Sequence, residues 1–155
     1  MRLYLETSVP NFLYATDAPD KRAITRELFD QIRQGTHLAR VSSLYLEEVA
    51  RTEAPLLRYL LEGVPTIYRL EVLPFTKPCR DLAELYVKAQ AFTTLNWLDA
   101  CHVATAAHHG CEAVVSWNFQ HIVRAWTMKL VAEVHQAQGL APIVLCSPME
   151  VIGHD

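Results

Sequence analysis

Glu6 stands directly after the unbroken apolar run Leu3-Tyr4-Leu5, near the start of a chain of 155 residues. Such a run reads as a strand buried on both faces, as in a parallel sheet. Ligands of open parallel sheets bind beyond the carboxyl ends of the strands, so Glu6 falls where such a sheet does its chemistry. Taken alone it is equally a solvated strand end. Glu47 and Glu48 lie within two turns of the start of the next predicted helix but one. Carboxylates there also favour the helix dipole, and only one of the two can point toward the strand ends. Asp99 lies three residues after Asn96, the spacing of a capping box. Yet the helix behind it, ACHVATAAHHG, carries no Asp, Glu, Lys or Arg. A helix without charge is deeply packed, and a carboxylate at its mouth needs a positive partner or water. Ser116 and Asn118, in the run VVSWNF, offer neutral oxygens at another strand end, and as a pair are also ordinary turn residues.

Glu6, Glu48 (or Glu47), Asp99 and Ser116/Asn118 come from four segments that a parallel sheet can bring to one edge. Three carboxylates held together repel unless something positive sits among them. Oxygen-only ligands select a hard divalent cation such as Mg²⁺ or Mn²⁺. Competing chemistries find less support. Cys101, His102, His108, His109 and Cys111 invite a zinc reading, but Cys101 and His108 are seven apart on one helix, roughly 10 Å by rise. They cannot share an ion, and the group reads as core residues plus helix-end histidines. A G-x-S-x-G elbow and a Gly-rich phosphate loop are both absent, which removes the usual signatures of serine hydrolases and nucleotide binders. The stretch from Ala113 to Ala132 lacks acids and carries His121, Arg124 and Lys129 with Trp117 and Trp126. Basic side chains hold phosphates and aromatic rings stack single-stranded bases. The alternative is a core Trp126 beside a solvated charged face.

The elements that must position these residues alternate in type. Strands are predicted at Arg2–Glu6, His37–Val41, Tyr68–Leu73, Ala113–Ser116 and Ile143–Cys146. Helices are predicted at Lys21–Gln34, at Leu44–Arg51 behind a Ser42 or Ser43 cap, and at Pro55–Glu62 with Gly63 as its stop. Further helices follow at Leu82–Thr93, at Trp97–His109 behind an Asn96 cap, and at Ile122–Gln138. Alternation of this kind implies an α/β sandwich with a mainly parallel sheet.

The whole chain, 1–155, is the length of one domain, with room to bury a core without disulfides or a structural metal. Its 14 Lys+Arg against 17 Asp+Glu leave a net charge of −3, which argues against a binder of nucleic acid or membrane held by bulk charge. Cys79, Cys101, Cys111 and Cys146 form no C-x-x-C pair, as expected of a reduced, cytoplasmic protein. The opening MRLYLETSVPNF is too short in its apolar part for a signal peptide, and no run approaches the ~18–20 apolar residues of a membrane span.

The segments LYLETSVPNFLY, VSSLYLEEV, LDACHVATAAHHG and VVSWNFQHI resemble, in order and across nearly the whole chain, the four blocks of PIN-domain proteins. They are more closely similar to a VapC-like bacterial subgroup with a Glu-Thr-Ser opening and a (Ser/Thr)-Trp-Asn block. The resemblance implies a three-layer α/β/α sandwich, Mg²⁺- or Mn²⁺-dependent cleavage of RNA and commonly a homodimer. In toxin–antitoxin pairs it also implies a small inhibitory antitoxin. By position, the family's acids fall on Glu6, on Glu48 (the acid directly before Val49) and on Asp99, which would hold the metal. The place that often holds a fourth acid is Asn118, expected to orient water. Thr7 and Ser116 match supporting hydroxyls. Two departures stand out: Glu6 replaces the usual Asp, and Asn118 removes a charge. The competing expectation is a catalytically weak module of the same fold that binds RNA or protein.

Overall fold

Leu3 and Leu5 belong to one hydrophobic cluster and Tyr4 to another, all three fully buried. The two-residue period of a strand sends alternate side chains to opposite layers. That strand, β1 (Arg2–Leu5), is the centre of a five-stranded sheet in the order β3-β2-β1-β4-β5. Its neighbours are β2 (Leu38–Ser42), β3 (Glu71–Leu73), β4 (Ala113–Val115) and β5 (Val144–Cys146). The computed structural model describes residues Met1–Gly153. Every pairing is parallel, so each connection crosses over the sheet.

Helices cover both faces. Leu3, Leu5, Val41 and Val115 pack with α1 (Ser8–Leu13), α2 (Pro19–Arg33), α3 (Ser43–Ala50), α4 (Pro55–Ile67) and α8 (Pro148–Ile152). Tyr4, Val114 and Leu145 pack with α5 (Lys77–Lys88), α6 (Trp97–His108) and α7 (Ala125–Gln138). The fold is the α/β/α sandwich expected, with a sheet that is wholly parallel. The chain builds outward from β1 through β2 to β3, then returns to place β4 on the other side of β1. The strand order therefore reverses between β1 and β4, where open sheets leave a crevice at the strand ends. Among the described residues no helix is long and apolar enough to cross a membrane.

Several boundaries differ from expectation for identifiable reasons. The helix expected to stop at Gly63 runs on to Ile67 with Pro65 inside it. Burial of Leu61, Val64 and Pro65 outweighs the helix penalty of Gly63, about 1 kcal/mol. Pro65 cannot donate to the Leu61 carbonyl, and the buried Tyr45 hydroxyl donates to it instead at 2.6 Å. The strand expected from Tyr68 begins only at Glu71, because Tyr68 ends α4 and Arg69 takes a left-handed φ of 56°. Helix α5 starts and ends five residues earlier than expected. Pro78 is a first-turn residue rather than a break, and Gln90, at φ 65°, turns the chain away. Helix α7 begins at Ala125 instead of Ile122, after an extended Arg124, and ends in a left-handed Gly139. Helices α1 and α8 were not expected. Asn96 makes no capping bond to α6; its amide donates to Thr93 Oγ1 at 2.9 Å.

Candidate active site

The backbone N–H of Glu6 donates to the Val115 carbonyl at 3.0 Å, so the main chain is still tied to β4 where the side chain leaves the sheet. Thr7 and Ser8 then turn directly into α1. The Glu6 carboxylate is buried and accepts from the Ser8 backbone N–H. Burial pushes its carboxyl above the ordinary range and Asp99 adds to that push, partly offset by the charge of His102 and by Ser8. The Ser8 hydroxyl accepts from Trp117 N–H at 2.9 Å, which joins the Glu-Thr-Ser opening to the block after β4.

Glu47 is exposed and Glu48 is half-buried. Glu48 Oε1 accepts from the Thr7 hydroxyl at 2.7 Å and from His102 Nε2 at 2.5 Å. Burial alone would raise the Glu48 carboxyl; the His102 hydrogen bond and charge, with Thr7, outweigh it and hold the group below its ordinary range. The helix phase of α3 thus turns Glu48, not Glu47, toward the strand ends.

From sequence alone His102 reads as a core residue. It is indeed buried, but it lies among all three acids: its charge lowers the carboxyls of Glu6, Glu48 and Asp99 alike. Its Nδ1 meets the Tyr4 hydroxyl at 2.5 Å, and that hydroxyl meets Ser42 Oγ at 2.7 Å. Burial pushes the Tyr4 phenol well above its ordinary value, so it keeps its proton. The charged His102 donates from both nitrogens, Nδ1–H to the Tyr4 oxygen and Nε2–H to Glu48, which leaves the Tyr4 O–H to donate to Ser42 Oγ. The available sequence signal was spacing, because Asp99 and His102 at i and i+3 share a face of α6.

Asp99 is half-buried in the first turn of α6. Burial raises its carboxyl and Glu48 adds to the rise, against His102, His121 and an Asn118 hydrogen bond. Asn118 Nδ2 donates to Asp99 Oδ2 at 3.4 Å. The Asn118 oxygen, the atom expected to orient water, instead accepts from the backbone N–H groups of Gln120 and His121 at 3.1 and 2.9 Å. It closes the turn, and the amide is what faces Asp99. Ser116, fully buried, accepts from Asn118 N–H at 2.9 Å.

Of the basic residues, His121 reaches the site: Asn96 donates to its Nδ1 at 3.3 Å and its charge acts on Asp99. Arg124 donates to Thr127 at 2.7 Å, and Lys129 sits 5.0 Å from the Trp126 ring. Both contacts lie within the α7 segment. Trp126 is 57% exposed and Trp117 is buried, its indole N–H donating to Thr25. The alternative that placed Trp126 in the core is therefore corrected: α7 leaves its ring on the surface.

A divalent metal suits this donor set. The oxygens are hard, the acids crowd one another electrostatically, and two of the three carboxyls are pushed upward by burial and by a neighbouring acid, Glu6 by Asp99 and Asp99 by Glu48. In the conformation described, each acid is turned to its own protein partner. The three do not form a group with oxygens mutually within 4.8 Å, so gathering one ion among them takes side-chain rotation.

A family model described as PIN domain matches residues 3–120, a stretch that contains Glu6, Glu48, Asp99 and Asn118. No curated protein matches the chain. Among solved structures, a chain from VapBC2 of Rickettsia felis bound to a DNA fragment from their promoter shares the fold, with a TM-score of 0.58 at 14% identity. The match covers 95% of this chain and 98% of that one.

Proposed function

This chain belongs to the PIN-domain family, and on that premise we propose that it is a metal-dependent endoribonuclease, the toxin of a toxin–antitoxin pair. The observation that carries the reading is the meeting of Glu6, Glu48 and Asp99 around His102 at the strand-order reversal. Glu6, Glu48 and Asp99 would hold Mg²⁺ or Mn²⁺, which when bound lowers the pKa of water and offsets charge on a phosphate.

The chain's own residues account for the rest. Thr7 and His102 keep Glu48 ionised and fixed in orientation. The Asn118 amide holds Asp99, and the Ser116 and Asn118 turn holds the amide. His121, half-buried beside Asp99, is the basic group best placed to meet a phosphate. Exposed Trp126 with Lys129 and Arg124 offers a stacking ring with two cations for single-stranded RNA. The VapBC2 neighbour supports an antitoxin partner. The exposed face of α4, with Leu56, Tyr59 and Ile67, suits a homodimer. Four free, buried cysteines suit a reduced cytoplasm.

The test is a Mn²⁺-dependent cleavage assay on single-stranded RNA with wild type and Asp99→Asn. Wild type should cleave, and the variant should lose at least about 100-fold in rate with its melting temperature unchanged or raised. The turned-away acids favour one other reading, a weakly catalytic RNA-binding module. RNA binding without cleavage at any Mn²⁺ concentration would select it.

A further inference from the structure

At the other end of α6 from Asp99, donors of a different chemistry meet. Cys79, in the first turn of α5, is fully buried. His108 closes α6 and His109 caps it. Helices α5 and α6 are consecutive and joined by a short connection, which sets the start of one beside the end of the other. The Cys79 sulfur and one ring nitrogen from each histidine all lie within 4.8 Å of one another. Adjacent helix positions do not normally face each other. Here the helix has ended, with His109 at φ −88° and ψ 8°, and the two imidazoles meet edge-on with centroids 5.0 Å apart.

We propose that Cys79, His108 and His109 bind Zn²⁺ with solvent in the fourth position, pinning the start of α5 to the end of α6. Thiolate and imidazole donors select zinc over the hard cations suited to carboxylates. The site lies about 15 Å from Asp99 by helix rise, and it does not depend on the nuclease reading. His109 Nε2 is 2.9 Å from the Pro74 carbonyl. A carbonyl only accepts, so that nitrogen carries the proton and Nδ1 keeps its lone pair for a metal, as metal-bound histidines commonly do. Thr76 Oγ1, 3.4 Å from the Cys79 sulfur, can donate to a thiolate, and the carbonyl end of α6 favours a cation. Tetrahedral zinc, about 2.3 Å from sulfur and about 2.0–2.1 Å from nitrogen, needs donors roughly 3.5 Å apart. The exposed His108 ring is free to close that difference. Spacing along α6 excluded an ion shared by Cys101 and His108; the cysteine comes instead from the neighbouring helix.

The test is a Co²⁺ titration of the full chain, stripped with chelator and kept reduced. Wild type should develop tetrahedral visible absorption and a near-ultraviolet thiolate-to-cobalt band at one equivalent, both removed by Zn²⁺. Cys79→Ser should lose the thiolate band, and Asp99→Asn should keep it. His108→Ala, at an exposed position, and His109→Ala, at a half-buried one past the helix end, should each weaken binding about ten-fold or more. No thiolate band in wild type, a band of full strength in Cys79→Ser, or unchanged affinity in both histidine variants would each overturn the site.

Discussion

Glu6 and Glu48 sit in the same cluster with carboxyls displaced in opposite directions, and the difference is one of partners. Glu48 has a hydroxyl and an imidazole donating to a single oxygen. Glu6 has a backbone amide and deep burial. A carboxyl raised on folding costs stability where it is ionised, above its folded pKa. The cost vanishes as pH falls below the ordinary carboxyl range, because both states are then protonated. Glu6→Gln should therefore stabilise the metal-free protein at pH 7 by roughly 1 kcal/mol, equivalent to about 2–4 °C in melting temperature. The gain should disappear near pH 4. Urea denaturation of both proteins across that range checks it, and a gain independent of pH would remove ionisation as its cause. Glu48 has the opposite sign: its contribution is present above the ordinary range and is lost as pH falls through its lowered pKa. At neutral pH the cluster thus holds one carboxylate that its surroundings favour and two that they disfavour. That imbalance is the electrostatic reason to look for a cation.

Helix α4 shows how a local weakness is repaired from another element. Pro65 leaves the Leu61 carbonyl without its helical donor, and the Tyr45 hydroxyl of α3 fills the gap. Tyr45→Phe should leave that carbonyl unsatisfied at a cost of about 1–3 kcal/mol. Adding Pro65→Ala restores an N–H to the helix and should recover most of the loss. A double-mutant cycle by denaturant unfolding measures the coupling; strictly additive changes would show that the hydroxyl does not serve the proline gap. The consequence extends beyond α4, since α3 also carries Glu48 and its docking against α4 helps set where that carboxylate points.

On the scale of the whole molecule, α4 divides its two sides unequally. Leu57, Leu61 and Val64 face the core, and Leu56, Tyr59 and Ile67, on the opposite stripe, are 71%, 73% and 57% exposed. Surface apolar groups aligned along one helix mark a contact surface, and a second copy of the chain is the partner proposed. The double variant Leu56→Glu/Tyr59→Glu should convert a dimer to a monomer by light scattering while leaving metal-dependent RNA cleavage within about two-fold. A wild-type monomer at micromolar concentration would assign the stripe to another partner, and the antitoxin would then be the first to test.

The alternation of apolar runs with helical periodicities was enough to read an α/β sandwich with a mainly parallel sheet, because burial on two faces and burial on one face leave different local patterns; the three-layer arrangement came from the family resemblance. The same local logic singled out Glu6, behind its run, and Asp99, at the mouth of a helix without charges. Helix position alone leaves Glu47 and Glu48 open, and only the family resemblance, through the acid directly before Val49, favours Glu48; the phase at which α3 leaves β2 is what turns that side chain to Thr7 and His102. His102 was legible only as half of an i, i+3 pair, and what made it part of the site is the arrival of Tyr4 and Glu48 from two other elements. The two roles of Asn118, oxygen to the turn and amide to Asp99, likewise depend on where β4 ends relative to α6. Cys79 meets His108 and His109 because α5 and α6 pack side by side. Local pattern sets what each segment can bury; only packing decides which distant side chains must share the space left over.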